Sequence, residues 1–164
     1  MNSAEKGKPF QTLEDLEAYQ LAREFRKQMY RVAKGLPSIE KFGLVPQMRR
    51  AALSLSNNIA EGHGRYHYLD QLRFLLQARG SLEELIDDLN VCIDEDYLPG
   101  TKVDELKAQG WRVHNVINGY GRYLRQKRSG AEMRLQETPT PYYVEGTEDP
   151  FIDLDFAAVP YHTF

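Results

Sequence analysis

The chain has 164 residues, a formal net charge of −3 and one cysteine, Cys92. A chain of that length fits one domain burying roughly 70% of the surface its unfolded form exposes, so no staple is needed. The lone cysteine excludes an internal disulfide framework and a four-cysteine zinc site, and no apolar run is long enough to span a membrane or, in MNSAEKGKPFQ, to act as a signal peptide. A soluble, cytoplasmic protein with no membrane partner is expected, and Cys92 is read as a small buried apolar residue.

Thr12 with Asp15 three residues on resembles a capping box and opens a first helix from Leu13 to about Lys34. Ala18, Ala22, Phe25, Met29, Val32 and Leu36 recur every three or four residues, and Gly35 with Pro37 ends the pattern. Ser38 to Gly43 reads as a short connection. A second helix starts near Leu44 to Pro46, shows the stripe Leu44, Met48, Ala52, Leu55 and Ile59, and stops at Gly62 and Gly64. The third runs from about Tyr68 to Asp94, where Leu72, Leu75, Arg79, Leu82, Ile86, Leu89 and Ile93 keep the alternating three-and-four spacing of a bundle seam. After the turn EDYLPG, a fourth helix from about Thr101 to Lys127 repeats that rhythm at Val103, Leu106, Gly110, Val113, Ile117, Tyr120 and Leu124. No period-two segment long enough for a strand precedes Ser129. The fold expected is all-α, an up-and-down four-helix bundle over residues 1–128.

Residues 129–164 form a different region, a C-terminal extension. The body carries +3 and this extension −6, with six Tyr or Phe and four Pro in its last 27 residues. Two readings stay open: a disordered tail, and an extended arm packed on its own bundle or a neighbouring subunit, the aromatic content favouring order more than disordered composition usually does.

Arg79 interrupts the apolar seam, and a guanidinium there needs partners. Arg49, Arg50, Asn57, Asn58 and Glu61 on the second helix are candidates for a polar network with Arg79 that fixes helix register. A ligand contact, or a side chain snorkelling to the rim, are the alternatives. Ala51, Ala52, Ser54 and Ser56, and Gly80 with Ser81, are small enough to let helices approach closely.

The chemistry of catalysis is absent from the pattern. His63 and His67 stand four apart with Gly64 between them, no Glu-x-x-His pair accompanies them, and no metal or cofactor is expected. Glu83, Glu84, Asp87 and Asp88 fall opposite or beside the leucine stripe, as a solvated flank does. Neither a phosphate-cradling glycine loop nor a nucleophile elbow is present, so no enzyme is expected. Basic residues are more suggestive: Arg23, Arg26, Lys27, Arg31 and Lys34 load the first helix, Arg122, Arg125, Lys127 and Arg128 the end of the fourth, and Arg65 the turn between the second and third. Cations near helix C-termini are favourable without any ligand, and the same residues could make a phosphate-binding footprint.

FGLVPQMRRAALSLSNNIAEGHGR, residues 42–65, followed by FLLQARGSLEEL, residues 74–85, resembles the four-helix-bundle proteins described as encoded by intervening sequences of 23S rRNA genes. It also resembles their relative, the accessory variability protein of diversity-generating retroelements. The resemblance covers about residues 10–127 and rests on Phe42, Gly43, Arg49, Arg50, Asn58, Ile59, Ala60, Glu61, Gly62, Arg65, Arg79, Gly80, Ser81 and Leu82. It implies a protomer that assembles into a ring-like homopentamer and, from the retroelement relative, nucleic-acid binding through basic surfaces without catalysis. Members commonly carry Thr or Ser near position 45 to cap the second helix. Val45 and Pro46 stand here, so the cap must come from elsewhere. The function expected is that of a non-enzymatic oligomeric scaffold or adaptor; the alternative is a nucleic-acid-binding accessory protein.

Overall fold

The computed structural model describes residues 12–131 and, of Lys127–Ala131, the backbone alone. Four helices follow one another: α1 (Glu17–Gly35), α2 (Leu44–His63), α3 (Tyr68–Asp94) and α4 (Gly100–Ala131), with single 3-10 segments at Leu13–Asp15 and Ser38–Phe42. The expected C-terminal extension lies outside the described residues beyond Ala131.

Neighbours run antiparallel, and paired residues fix the register. Across α2 and α3, Gln47 faces Asp88, Ser54 faces Ser81 and Gly62 faces Phe74. Across α3 and α4, Asn90 faces Lys107, Ile86 faces Gly110 and Glu83 faces His114. α4 closes the ring of helices against α1, where Phe25 reaches Gly110. The result is the expected all-α, up-and-down bundle, with Phe25, Met29, Met48, Leu55, Ile59, Leu75, Leu82 and Leu106 fully buried along its axis.

The expected stripes of α2 and α4 are buried nearly throughout. α1 begins at Glu17 rather than Leu13, because Thr12 and Asp15 cap the 3-10 turn instead: Asp15 Oδ2 accepts from the Thr12 N–H at 3.2 Å and from its hydroxyl at 3.0 Å. The missing cap of α2 is Glu40, whose Oε2 accepts from the Leu44 N–H at 2.8 Å. Its Oε1 accepts from the Tyr97 hydroxyl at 2.9 Å, which ties the α1–α2 connection to the turn after α3. A methyl added at Gly43 would stand 2.7 Å from that carboxylate, which would have to shift its cap to admit one.

α3 departs most from expectation. It touches both α2 and α4, so one seam cannot serve it, and a second stripe at Ala78, Ser81, Leu85, Asp88 and Cys92 is buried against α2. Arg79 consequently lies half-buried at the edge of the seam, where its charge reaches His114 on α4. Gly80 faces open space rather than a neighbouring helix. Close approach is made instead at Ser81, whose hydroxyl meets that of Ser54 at 2.9 Å, and at Gly62, where an added methyl would stand 3.0 Å from the Phe74 Cβ and 3.2 Å from the Gln71 carbonyl oxygen. Gly62 is therefore a packing residue inside α2, and Gly64 ends the helix.

Candidate functional site

The spacing of α1 puts Phe25 and Met29 inward and turns Arg23, Lys27, Arg31 and Lys34 outward. Between α1 and α2 the last three border a shallow groove of about 480 Å³ lined by Arg26, Lys27, Tyr30, Arg31, Lys34 and Leu53, which Arg23 does not reach. Arg26 is partly buried and donates to the Ser56 hydroxyl at 2.7 Å, which holds its charge at the groove wall. Arg49 crosses from α2 and lies 4.6 Å from the Tyr30 ring centre, a cation–π contact that adds a further cation beside the groove. Leu53 stays 43% exposed in the floor. One acid, Glu24, faces this set, 2.6 Å from Lys27, and that lysine holds its carboxyl below the usual range. The arrangement offers several cations around a half-buried ring and an apolar floor, suited to an extended polyanion or an acidic peptide.

The other basic group is not part of this surface. Arg31 and Lys102 line one cleft, so Arg122 on α4 lies some 20 residues further along, roughly 25–30 Å away by helix rise. Arg122 is exposed and Arg125 half-buried, whereas the Arg128 side chain is outside the described set. Arg65 pairs with Glu61 and lies 4.9 Å from the centre of the Phe74 ring, at the α2–α3 turn.

The six residues of the candidate polar network are dispersed. Arg49 is engaged with Tyr30, Glu61 with Arg65, and Asn58 with the Ser54 carbonyl and hydroxyl at 2.9 and 3.0 Å. Asn57 is exposed, and Arg79 faces α4. Arg50 contributes to a different feature, Asp88. This carboxylate is 1% exposed, accepts from the Gln47 amide at 2.9 Å through Oδ1, and has no partner for Oδ2 among the described residues. Burial pushes its pKa up to about 6; Asp87 and Glu84 add to the rise, while Gln47 and the Arg50 charge oppose it. The expected solvated flank thus holds for Glu83, Glu84 and Asp87 and fails for Asp88, which sits on the second stripe. One turn on, burial raises the Cys92 thiol to about 11, so it remains a protonated core side chain.

Two large apolar side chains stand out from the surface at the α1–α2 connection: Ile39 is 80% and Phe42 87% exposed. At the same end, α1 and the α3–α4 turn border an open cleft of about 350 Å³ lined in part by Val32, Leu36, Tyr97, Leu98 and Leu106. Phe42 was legible from the sequence motif. Ile39 and Leu53 were not, since an apolar residue announces burial until neighbours are known. Among the described residues, no group of three or more His, Cys, Asp or Glu is arranged to hold a metal ion, and no helix is long and apolar enough to cross a membrane.

His114, half-buried beside Trp111, contacts the Asn118 amide at 3.2 Å and lies 3.8 Å from Glu83; burial lowers its pKa more than Glu83 raises it. Its surroundings are those of a packed side chain.

No curated protein is detectably similar to the chain. The family described as 23S rRNA-intervening sequence protein matches residues 14–119, which takes in α1, α2, α3 and most of α4 together with the arginine-asparagine motif of α2. With the bundle topology and that span in agreement, the chain belongs to the 23S rRNA-intervening sequence protein family.

Proposed function

We propose that the protein is a non-enzymatic, self-associating scaffold of the cytoplasm that presents repeated copies of its surface. The observation that carries this reading is the pinned pair Ile39 and Phe42, exposed on a connection that Glu40 anchors to both Leu44 and Tyr97. Large apolar side chains held out by a braced turn are costly in water and favour a protein partner. The cleft between α1 and the α3–α4 turn, at the same end of the protomer, has an apolar part formed by Val32, Leu36, Leu98 and Leu106. A knob of one copy seated in the cleft of the next makes a head-to-tail contact, which forms a ring where the rotation between copies closes. A pentamer, as the family resemblance implies, is one such ring, and its copies would let several weak contacts act together.

In the test, the full chain is followed by light scattering from 1 to 100 μM beside an Ile39→Glu/Phe42→Glu variant. Each side chain is worth roughly 1.5–3 kcal/mol when buried, so the variant's dissociation constant rises at least a hundredfold. A native chain that stays monomeric throughout defeats the reading.

The basic groove favours a second reading, a nucleic-acid-binding accessory role. Its support is the concentration of Arg26, Lys27, Arg31 and Lys34 around Tyr30, with Arg49 beside them. This role requires affinity for single-stranded or duplex DNA or RNA that falls steeply with salt. A Lys27→Glu/Arg31→Glu/Lys34→Glu variant then loses affinity regardless of sequence, and its log–log salt slope falls by about 3. A slope unchanged by the three reversals removes it.

A further inference from the structure

We propose that the groove between α1 and α2 is the docking site for this chain's own acidic segment, residues 145–156. Two independent features meet there. The groove joins Arg26, Lys27, Arg31 and Lys34 to the exposed Leu53 and the half-buried Tyr30. Beyond Arg134 the chain holds no Lys or Arg, and Glu145, Glu148, Asp149, Asp153 and Asp155 are interleaved with Phe151, Ile152, Leu154 and Phe156. The sequence therefore supplies the complement of the groove in both charge and apolarity. Polyanions lacking apolar groups would match only the cations.

Reach permits it. α4 ends at Ala131, and the groove lies back along the bundle by about 22–29 residues of α4, roughly 35–45 Å. Asp153 stands 22 residues beyond Ala131, which fully extended spans up to about 75 Å. The site is equally open to the segment of a neighbouring copy. Docking neutralises the surface that the nucleic-acid reading needs, and it holds or fails independently of the self-association contact at Ile39 and Phe42.

Zero-length carbodiimide cross-linking of the full chain tests this, because it joins a lysine amine to a carboxylate in contact with it. Mapping by mass spectrometry is expected to find Lys27 and Lys34 joined to Glu145–Asp155 at 50 mM salt, with at least a fivefold lower yield at 1 M. Arg31→Gln, which neither removes nor adds a cross-linkable group, lowers that yield about threefold. Mixed heavy and light isotope-labelled chains identify whose segment is bound, either answer supporting the docking. Tail carboxylates joined chiefly to Lys102, Lys107 or Lys127, or a yield indifferent to Arg31→Gln, would overturn the proposal. So would the absence of these cross-links in a chain that retains a 20-nucleotide oligoribonucleotide on Lys27 and Lys34, which would assign the groove to nucleic acid.

Discussion

Replacing Asp88 by Asn is expected to raise the unfolding free energy at pH 7.5 by about 2–3 kcal/mol and to leave it nearly unchanged at pH 4. The native carboxyl is buried with one oxygen unpartnered, and its pKa moves from an ordinary 3.8 to about 6. Between those values the folded chain holds a proton that the unfolded chain has released. Stability contributed by this site is therefore highest at and below about pH 4, falls as pH rises through 6, and stays low above it. Asn keeps the shape and the acceptor that Gln47 uses, while removing the charge that α2 and α3 desolvate. Losing the attraction of Arg50 trims the gain. Glu24 and Glu40 shift the opposite way, both held down by hydrogen bonds, so their contribution is lost only as pH falls through their lowered values. Both are common to the two proteins and cancel in the difference. Urea midpoints of the native chain and Asp88→Asn from pH 4 to 8 measure this directly; parallel curves would show that the carboxylate is solvated in the folded protein.

Asp88 also shows how far the sequence reaches. The leucine seam of α3 is readable because Leu72, Leu75, Leu82 and Leu89 are large and apolar, and period alone places them inside. The stripe that faces α2 has the same period, but apart from Leu85 its members are Ala78, Ser81, Asp88 and Cys92, and side chains this small or polar carry little hydrophobic signal. Only partners across the interface, Ser54 and Gln47, make the burial of Ser81 and Asp88 tolerable, and those lie 27 and 41 residues away in the chain. The reverse holds for Arg79, whose position in the rhythm suggested a buried charge; Ala78 takes the interior position and the arginine turns toward α4. The basic residues of α1 were visible as a cluster, since they share one helix face, yet their separation from Arg122 and their association with Leu53 depend on helix lengths and register. Glu40 as the cap of α2 was hidden for a simpler reason. It lies four residues before Leu44, outside the usual capping position, and reaches the N–H only because the connection turns through a 3-10 segment.

The largest loss from a single truncation is expected at Phe25, where α1, α3 and α4 converge. Its ring is fully buried, and a methyl added at Gly110 would stand 3.3 Å from Phe25 Cζ, 2.7 Å from Ile86 Cδ1 and 3.6 Å from Leu82 Cδ1. Phe25→Ala removes a large buried side chain from a three-helix junction that cannot collapse without shifting α4, and costs about 3–5 kcal/mol. Gly110→Ala crowds the same space; overpacking costs about 1–3 kcal/mol, against which the helix gains about 1 kcal/mol from replacing glycine. The ring and the methyl compete for one volume, so the two changes are coupled. In the double variant the methyl enters part of the vacated space, and the combined loss falls short of the summed single losses by about 1 kcal/mol. Urea unfolding of the four proteins measures that coupling, and strict additivity would mean that α4 does not approach α1 closely enough at Gly110 for the ring to feel it. The bare backbone at Gly110 would then need another explanation, whereas a positive coupling identifies it as the residue that lets the fourth helix close the bundle over Phe25.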